Sequence, residues 1–458
     1  MNQHIFREYD IRGIFPDDLT EDIVKKIGYY FGLKIKEKNM DYIAVGYDCR
    51  THSHQLFEWI ISGLNKAEIK VLNVGEVPTP CVYFAANQEY NSKLIKNCLV
   101  ITGSHNPPEY NGFKLVLDNE PFFGEDIINL GKEVMSSTEE ILDDIKVIDT
   151  DYKEMYIQFL VEHFSNLKDC SKKVIIDNGN GVGSIVAREV LDRLGISCEI
   201  LFENPDGTFP NHLADPSEDE NLEDVLLEMK NNSYDIGCAF DGDADRIHVI
   251  DQNQVIKPDV FALIIAKTMD NPIVVGEVKC TQIMYDGINE FGKAIMQRNG
   301  RCNVQKKIKE VNATFAIELS GHIFFNDRYY GYDDAIYTFL RTIELVNSGL
   351  NFKEEFDKLP KVYSTPEYKV KTSEKEKFVI IEKFVNKVIS KEYDLPKIID
   401  YTTIDGIRVK FEHGWALVRV SNTSPNFTTR FEADTEENAN LYKEKMLDCL
   451  YKEIKENE

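Results

Sequence analysis

Three stretches of the chain repeat one pattern: an apolar strand, a polar or glycine-rich loop, an amphipathic helix and a second short apolar strand. The first runs from Tyr42–Val45 through a helix over Leu56–Leu64 to Val71–Val74. The second has Val174–Ile176, Ile185–Leu194 and Cys198–Phe202, and the third begins at Ile273–Val275 and enters a helix around Ile283–Phe291. Strands that alternate with helices form mixed or parallel sheets covered by helices. Recurrence along 458 residues, too many for one core, predicts related α/β domains instead of one large sheet. The C-terminal part departs from the pattern. After a charged, breaker-containing stretch from Leu359 to Lys377, a helix around Phe378–Ile389 precedes strands near Ile407–Phe411 and Ala416–Val420. A final helix over Ala439–Leu450 is expected to be capped by Asp434, with Glu437 reaching back, so this segment reads as a smaller α+β domain.

Charge narrows the choice of partner. A formal charge of −25 opposes nonspecific attraction to nucleic acid or anionic membrane, which carry phosphate of the same sign, so neither is expected as a partner. A phosphorylated small molecule would need local basic groups. No stretch has the apolar length of a membrane helix, and Arg7, Glu8, Asp10 and Arg12 stand where a signal peptide would be apolar, so a cytoplasmic protein is expected. Nine scattered cysteines without a C-x-x-C pair read as small reduced core residues.

Four loops carry candidate chemistry. Thr102-Gly103-Ser104-His105-Asn106-Pro107-Pro108 follows the apolar run Leu99–Ile101, and its prolines stop it from continuing as strand or helix. Ser104 is thereby presented at a strand end, where loop amides, His105, Asn106 and Lys114 can surround a phosphoryl group with donors and positive charge. An ordinary turn uses the same residue types. Acyl transfer fits poorly, because no G-x-S-x-G elbow exists and His105 directly follows the serine. In the second loop, Asp241-Gly242-Asp243-Ala244-Asp245-Arg246 sits between the apolar strands Ile236–Phe240 and Ile247–Ile250. Three alternating carboxylates can converge on one hard cation if the backbone turns tightly at Gly242; the competing reading is a plain Asp-Gly hairpin. A helix-loop-helix calcium site is excluded, since Arg246 and Gln252 stand where glycine and glutamate are required.

The third loop, Glu318-Leu319-Ser320-Gly321-His322, offers a carboxylate, a hydroxyl and an imidazole suited to sugar hydroxyls and proton exchange, or simply a structural histidine. The fourth, Arg419-Val420-Ser421-Asn422-Thr423-Ser424-Pro425, matches a phosphate site or a polar surface turn, with Arg430 on the following strand as a further cation. Gly179-Asn180-Gly181-Val182-Gly183 lacks the G-x-G-x-x-G spacing, and no Walker loop occurs, so nucleotide dependence is unsupported.

Taken together and in order, Phe6-Arg7-Glu8-Tyr9-Asp10-Ile11-Arg12-Gly13 and these four loops resemble the α-D-phosphohexomutases over nearly the whole chain. Asn211-His212 and Gly331-Tyr332-Asp333-Asp334 look most like the phosphomannomutase/phosphoglucomutase type. The resemblance implies an α/β fold of three similar mixed α/β domains plus a C-terminal α+β domain around a central cleft. The intervals would be 1–150 with the phosphoserine loop, 151–252 with the metal loop, 253–362 with the sugar-recognition loop and 363–458 with the phosphate-binding loop. It implies catalytic roles for Ser104, His105, Lys114, Arg12 and His322, and a metal held by Ser104, Asp241, Asp243 and Asp245. Substrate would be bound by Tyr9, Lys279, Glu318, Ser320, Arg419, Ser421, Asn422 and Thr423.

The implied activity is reversible transfer of phosphate between C1 and C6 of a hexose phosphate, through phosphoserine and a bisphosphorylated sugar. Mg²⁺ and a hexose 1,6-bisphosphate activator are the implied cofactors, hexose 1-phosphate and hexose 6-phosphate the substrates, and a monomer or weak homo-oligomer the assembly. Two departures keep a noncatalytic phosphosugar-binding relative as the alternative. The family's Lys-Thr-Gly-His-Ser stretch is here Arg298-Asn299-Gly300-Arg301-Cys302, and Ile317 replaces the glycine before the sugar-loop glutamate.

Overall fold

A computed structural model describes residues 3–421 and 424–457. The chain forms two compact units: residues 1–261 with 320–354, and residues 262–319 with 355–458.

The first unit contains two mixed sheets. In one, the strand order is Ile11–Ile14, Tyr110–Leu117, Cys98–Ile101, Tyr42–Tyr47, Lys70–Glu76 and Ile148–Asp149. The last four run parallel, while Tyr110–Leu117 pairs antiparallel with both its neighbours. The helix Glu21–Glu37 starts where Thr20 accepts the Ile23 N–H and acidic Glu21 and Asp22 occupy the first turn. Its buried stripe, Val24, Ile27, Phe31 and Ile35, recurs at helical spacing and joins a core with Ile60, Leu64, Val45, Leu99 and Phe113. The helix Ser53–Lys66 lies on it with backbones in direct contact: a Cβ on Gly28 would fall 2.2 Å from the Ile60 carbonyl oxygen, and one on Gly63 2.0 Å from that of Lys25. The second sheet repeats the plan with Ser197–Leu201, Lys173–Asp177 and Ile236–Phe240 parallel, then Ile247–Asp251 and Gln254–Ile256 antiparallel.

The second unit holds the third repeat as the parallel strands Lys293–Gln297, Ile273–Glu277 and Phe315–Ile317. Its other sheet is antiparallel: Asn426–Ala433, Gly414–Val420, Ile407–Lys410 and Asp400–Thr402 in order, with Tyr363–Ser364 and Tyr368–Lys371 both on Asn426–Ala433. The helices Lys377–Ile389 and Glu436–Asn457 cover one face, burying Ile380, Phe384, Met446 and Leu450 against Val409, Val418 and Phe431. Buried Glu432 ties the layers, accepting from Ser364 Oγ at 2.6 Å, Trp415 Nε1 at 2.8 Å, Thr281 Oγ1 at 2.8 Å and the Gln282 N–H at 3.0 Å.

The expected three α/β repeats and the C-terminal α+β segment are present in this order. One detail differs. Thr435, not Asp434, caps the last helix by accepting the Asn438 N–H at 3.2 Å, while Asp434 is drawn to His413 Nδ1 at 2.9 Å. Among the described residues no disulfide forms, and of the nine cysteines five are buried and four partly buried. Among the described residues, no helix is long and apolar enough to cross a membrane.

Gly63→Ala is expected to destabilise the first unit by about 1–3 kcal/mol, although alanine is the better helix former by about 1 kcal/mol, because the methyl group must enter a backbone contact. Chemical denaturation with the helix signal as readout checks this; an unchanged or raised midpoint would refute the contact.

Candidate functional site

The strand Cys98–Ile101 sits between Tyr42–Tyr47 and Tyr110–Leu117, and the serine loop leaves its end. Ser104 has φ 51°, a left-handed conformation that costs an ordinary residue about 1–2 kcal/mol and must be held by its surroundings. Its N–H donates to Thr102 Oγ1 at 2.8 Å, the Gly103 N–H donates to Asp48 Oδ2 at 3.0 Å, and its carbonyl accepts from Arg50 Nη2 at 2.9 Å. The buried Ser104 hydroxyl donates to Asp241 Oδ2 at 2.9 Å and lies 3.3 Å from His105 Nδ1. Burial, then the nearby Arg246 and Arg12 charges, push the His105 pKa well down, so its ring is neutral. Arg12, on the strand Ile11–Ile14, donates to the Gly103 carbonyl and to Asp10 Oδ2 at 2.5 Å. Tyr9, partly buried, lies in the turn before that strand.

The aspartate loop is at once a hairpin and a carboxylate cluster, since Phe240 pairs with Ile247 across it. The tight turn expected at Gly242 is made instead at Ala244, with φ 55°. Gly242 serves close approach: a Cβ there would lie 2.6 Å from the Ser104 carbonyl oxygen, so this glycine lets the serine and aspartate loops meet. The loop's carbonyls are turned away from the carboxylates and held by amides at helix starts: Gly242 by Val182 at 3.0 Å, Asp243 by Thr79 at 2.9 Å and Ala244 by Ala335 at 3.1 Å. Asp241 Oδ1 accepts from the Asp245 and Arg246 amides, both at 3.1 Å.

Asp241, Asp243 and Asp245 are fully buried, with ligand oxygens within 4.8 Å of one another. Lys114 Nζ donates to Asp243 Oδ2 at 2.5 Å and to Asp245 Oδ2, and Thr79 Oγ1 also donates to Asp243. Burial and then the Asp243 and Asp245 charges raise the Asp241 pKa well above the usual carboxylate range. Burial acts the same way on Asp243 and Asp245, but Lys114 together with Thr79 at Asp243, and with His322 and Arg246 at Asp245, outweighs it and holds both low. Asp243 Oδ1 and Asp245 Oδ1 are buried with no hydrogen-bond donor. Two oxygens left bare at such a cost, in a cluster of three carboxylates, fit a hard divalent cation. A second set, Asp245, His322 and Asp333, also brings ligand atoms within 4.8 Å. There His322 Nε2 accepts from Arg246 Nε at 3.0 Å, which places the ring proton on Nδ1, and Nδ1 lies 2.8 Å from Asp333 Oδ2. Ser320 lies in the same turn, partly buried.

Lys279, Glu318 and the phosphate loop belong to the second unit. Lys279 Nζ is 2.9 Å from Glu367 Oε1 and 3.6 Å from Glu277 Oε1, and these carboxylates outweigh burial to raise its pKa. Glu318, buried, accepts the Gly300 N–H at 2.7 Å. Arg419 Nε donates to Asp405 Oδ2 at 2.7 Å, and the same oxygen accepts the Asn299 N–H at 3.1 Å. Asp405 thus links the phosphate-loop arginine to the Asn299-Gly300 turn that contacts Glu318. Arg430, the further cation expected from the following strand, donates its Nη1 to the Lys279 carbonyl at 2.6 Å. Ser421 Oγ is 2.9 Å from Ser424 Oγ, and Lys377 Nζ donates to the Ser421 carbonyl at 3.0 Å. Asn422 and Thr423 lie outside the described residues.

Within the first unit, Ser104, His105, Arg12, Lys114, the three aspartates and His322 are therefore brought together by side-chain contacts. Sequence reasoning missed Asp48, Arg50, Thr79, Asp333, Glu277, Glu367 and Asp405. Asp333 had been quoted only as part of a resemblance, and the remainder sit in segments without a recognisable pattern.

Family models of phosphoglucomutase/phosphomannomutase match the chain in series: alpha/beta/alpha domain I over residues 3–141, domain II over 154–254, domain III over 257–363 and the C-terminal domain over 367–448. A phosphomannomutase/phosphoglucomutase of Pseudomonas aeruginosa is 36% identical over 445 residues, covering 94% of this chain and 92% of that protein. A phosphoglucomutase of Neisseria gonorrhoeae is 38% identical over 448 residues, covering 95% and 94%. The crystal structure of a phosphoglucomutase/phosphomannomutase family protein from Burkholderia thailandensis superposes with a TM-score of 0.90 at 33% identity, covering 98% of both chains. Four domains matched in order, together with whole-chain relatives of one activity, make this chain an enzyme of the mutase class, an isomerase. It belongs to the phosphoglucomutase/phosphomannomutase family.

Metal affinity is expected to rise with pH. The raised Asp241 pKa means its carboxyl is protonated at low pH and must lose that proton to ligate, so affinity should fall by up to about tenfold per pH unit below that pKa. Calorimetric Mg²⁺ titrations in two buffers of different ionisation enthalpy should reveal proton release; pH-independent affinity without release would contradict the assignment.

Proposed function

We propose that the chain interconverts hexose 1-phosphates and hexose 6-phosphates, glucose and mannose phosphates being the substrates named by its relatives, with the intervals 1–150, 151–252, 253–362 and 363–458 as its domains. The observation that carries this reading is the 2.9 Å contact between the Ser104 hydroxyl and Asp241, inside a buried three-carboxylate cluster. Ser104 carries the phosphoryl group. A free sugar hydroxyl attacks that phosphorus, the bond from phosphorus to the serine oxygen breaks, and the hydroxyl proton passes to a base, for which His322 is the candidate once Arg246 releases its Nε2. The bisphosphorylated sugar turns over. Ser104 then takes the other phosphoryl, and the sugar oxygen so released recovers a proton.

A divalent cation held by Ser104, Asp241, Asp243 and Asp245, Mg²⁺ in this reading, supplies positive charge to the transferring group when bound. Arg12 and Lys114 add fixed charge, and His105, kept neutral by burial, can donate its Nδ1–H to the serine oxygen without adding a positive charge beside the metal. Tyr9, Lys279, Glu318 and Ser320 bind the sugar, while Arg419, Ser421, Asn422 and Thr423 hold the phosphate that is not being transferred. A hexose 1,6-bisphosphate primes Ser104.

A coupled assay with glucose 1-phosphate and mannose 1-phosphate, Mg²⁺ and glucose 1,6-bisphosphate tests the reading. Isomer formation is expected; release of inorganic phosphate would make the protein a phosphatase, and binding without conversion a noncatalytic relative. Ser104→Ala is expected to abolish turnover and the added phosphoryl mass seen in the intact protein. Arg419→Ala should raise KM by about 10- to 100-fold, the worth of a charged hydrogen bond, with a smaller effect on kcat. A loss in kcat alone would remove Arg419 from substrate binding.

A further inference from the structure

We infer that Arg50 is the positioning residue of the phosphoryl-carrying serine, and that the segment around Gly207 and Phe209 clamps it in place. The inference rests on the reading of Ser104 as the phosphoryl carrier. Arg50 is 2% exposed, and its guanidinium gathers three carbonyls of the serine loop and that of Tyr110 at the start of the next strand: Nη2 donates to Ser104 at 2.9 Å and Asn106 at 2.5 Å, and Nη1 to Pro107 at 2.6 Å and Tyr110 at 3.1 Å. A planar fork of fixed donors can span a loop in this way, which a lysine ammonium cannot. Asp48 lies 3.2 Å from Nε and also accepts the Gly103 N–H, so one buried ion pair grips the loop from both sides. Gly103 exists in this setting to admit the guanidinium, since a Cβ there would lie 2.2 Å from Nε.

The clamp comes from the second α/β repeat. The Phe209 ring lies 4.9 Å from the Arg50 guanidinium carbon, and Gly207 approaches so closely that a Cβ would fall 2.3 Å from the Arg50 Cα. Phe209 itself has φ 49°, so that segment is also held in a left-handed turn. Nothing in this arrangement touches a transferring phosphoryl group. Its effect is to keep Ser104 left-handed, with its hydroxyl on Asp241, against the conformation the residue would otherwise prefer. A misplacement of about 1 Å at a reacting atom costs on the order of a hundredfold in rate.

The test uses the full chain with Arg50→Lys, Arg50→Gln and Phe209→Leu beside the unaltered protein. Each is assayed for kcat and KM with glucose 1-phosphate, for Ser104 phosphorylation by intact mass after glucose 1,6-bisphosphate, and for thermal unfolding. We expect Arg50→Lys and Arg50→Gln, where folded, to lose about a hundredfold in kcat with KM within about threefold, and to accept phosphate on Ser104 slowly. A kcat within threefold of the unaltered protein, or a loss matched by the unfolded fraction, overturns the proposal. Should both arginine variants fail to fold, Phe209→Leu decides: a kcat reduced at least fivefold at constant KM supports the clamp, and unaltered kinetics refute it. If the unaltered protein neither turns over nor takes up phosphate, it is the functional reading that fails. Arg50 would then still be judged by whether its variants alter the Ser104 loop amide signals in an isotope-labelled sample.

Discussion

Three buried carboxylates clustered on one loop, one of them bonded to a serine hydroxyl, are the constraint around which the first unit is organised. Like charges in a low-dielectric interior repel strongly, and each ion also loses its hydration. The chain meets this in two ways. Lys114 reaches from a strand of the first sheet to Asp243 and Asp245 on a loop of the second, so a cation from one repeat neutralises anions of another. Asp241, which lacks that ammonium, shifts toward its neutral form and takes hydrogen bonds from two backbone amides and the serine. The cluster is thereby tolerable without a metal while keeping two bare oxygens that suit one.

Placement of the loop depends on backbone groups more than on side chains. Amides of Thr79, Val182 and Ala335 take up the loop carbonyls, and each stands at or just before a helix start, where N–H groups lack intrahelical partners. The repeated strand–loop–helix plan therefore has a use beyond forming a core: every repeat ends a strand beside a helix N-terminus with free donors. The glycine-rich stretch at 179–183, which resembles a nucleotide loop only superficially, is one of these supports. Its Val182 amide holds the Gly242 carbonyl, and Gly181 leaves room for that contact.

The second unit shows a different economy. Its cations are already paired within the unit, Lys279 with Glu367 and Glu277, Arg419 with Asp405. In the proposed reading a substrate phosphate would exchange these partners instead of meeting bare charge, and binding would be a competition among anions. Asp405 connects Arg419 to the turn at Asn299-Gly300, next to Arg301, the position where the chain departs from the family pattern. Arg301 is buried at the first residue of the helix Arg301–Val311, so the departure changes a structured position and not a surface one.

Much of this was legible in residue order. Alternating apolar and amphipathic runs determine three α/β repeats and an antiparallel C-terminal segment, because hydrophobic periodicity is a local property. The serine, aspartate, sugar and phosphate loops were visible as motifs for the same reason, each being short and chemically dense. Local propensity could not say that Ala244 instead of Gly242 takes the left-handed turn, since the choice follows from Gly242 having to face the Ser104 carbonyl. Nor could it find Arg50, Asp333 or Asp405, which lie 54, 11 and 14 residues from the side chains or carbonyls they serve at Ser104, His322 and Arg419. Composition and periodicity determined which elements form and which loops carry chemistry. Only the tertiary structure decided which buried charges share a neighbourhood, because long-range electrostatic pairing depends on distances in space that no sequence spacing records.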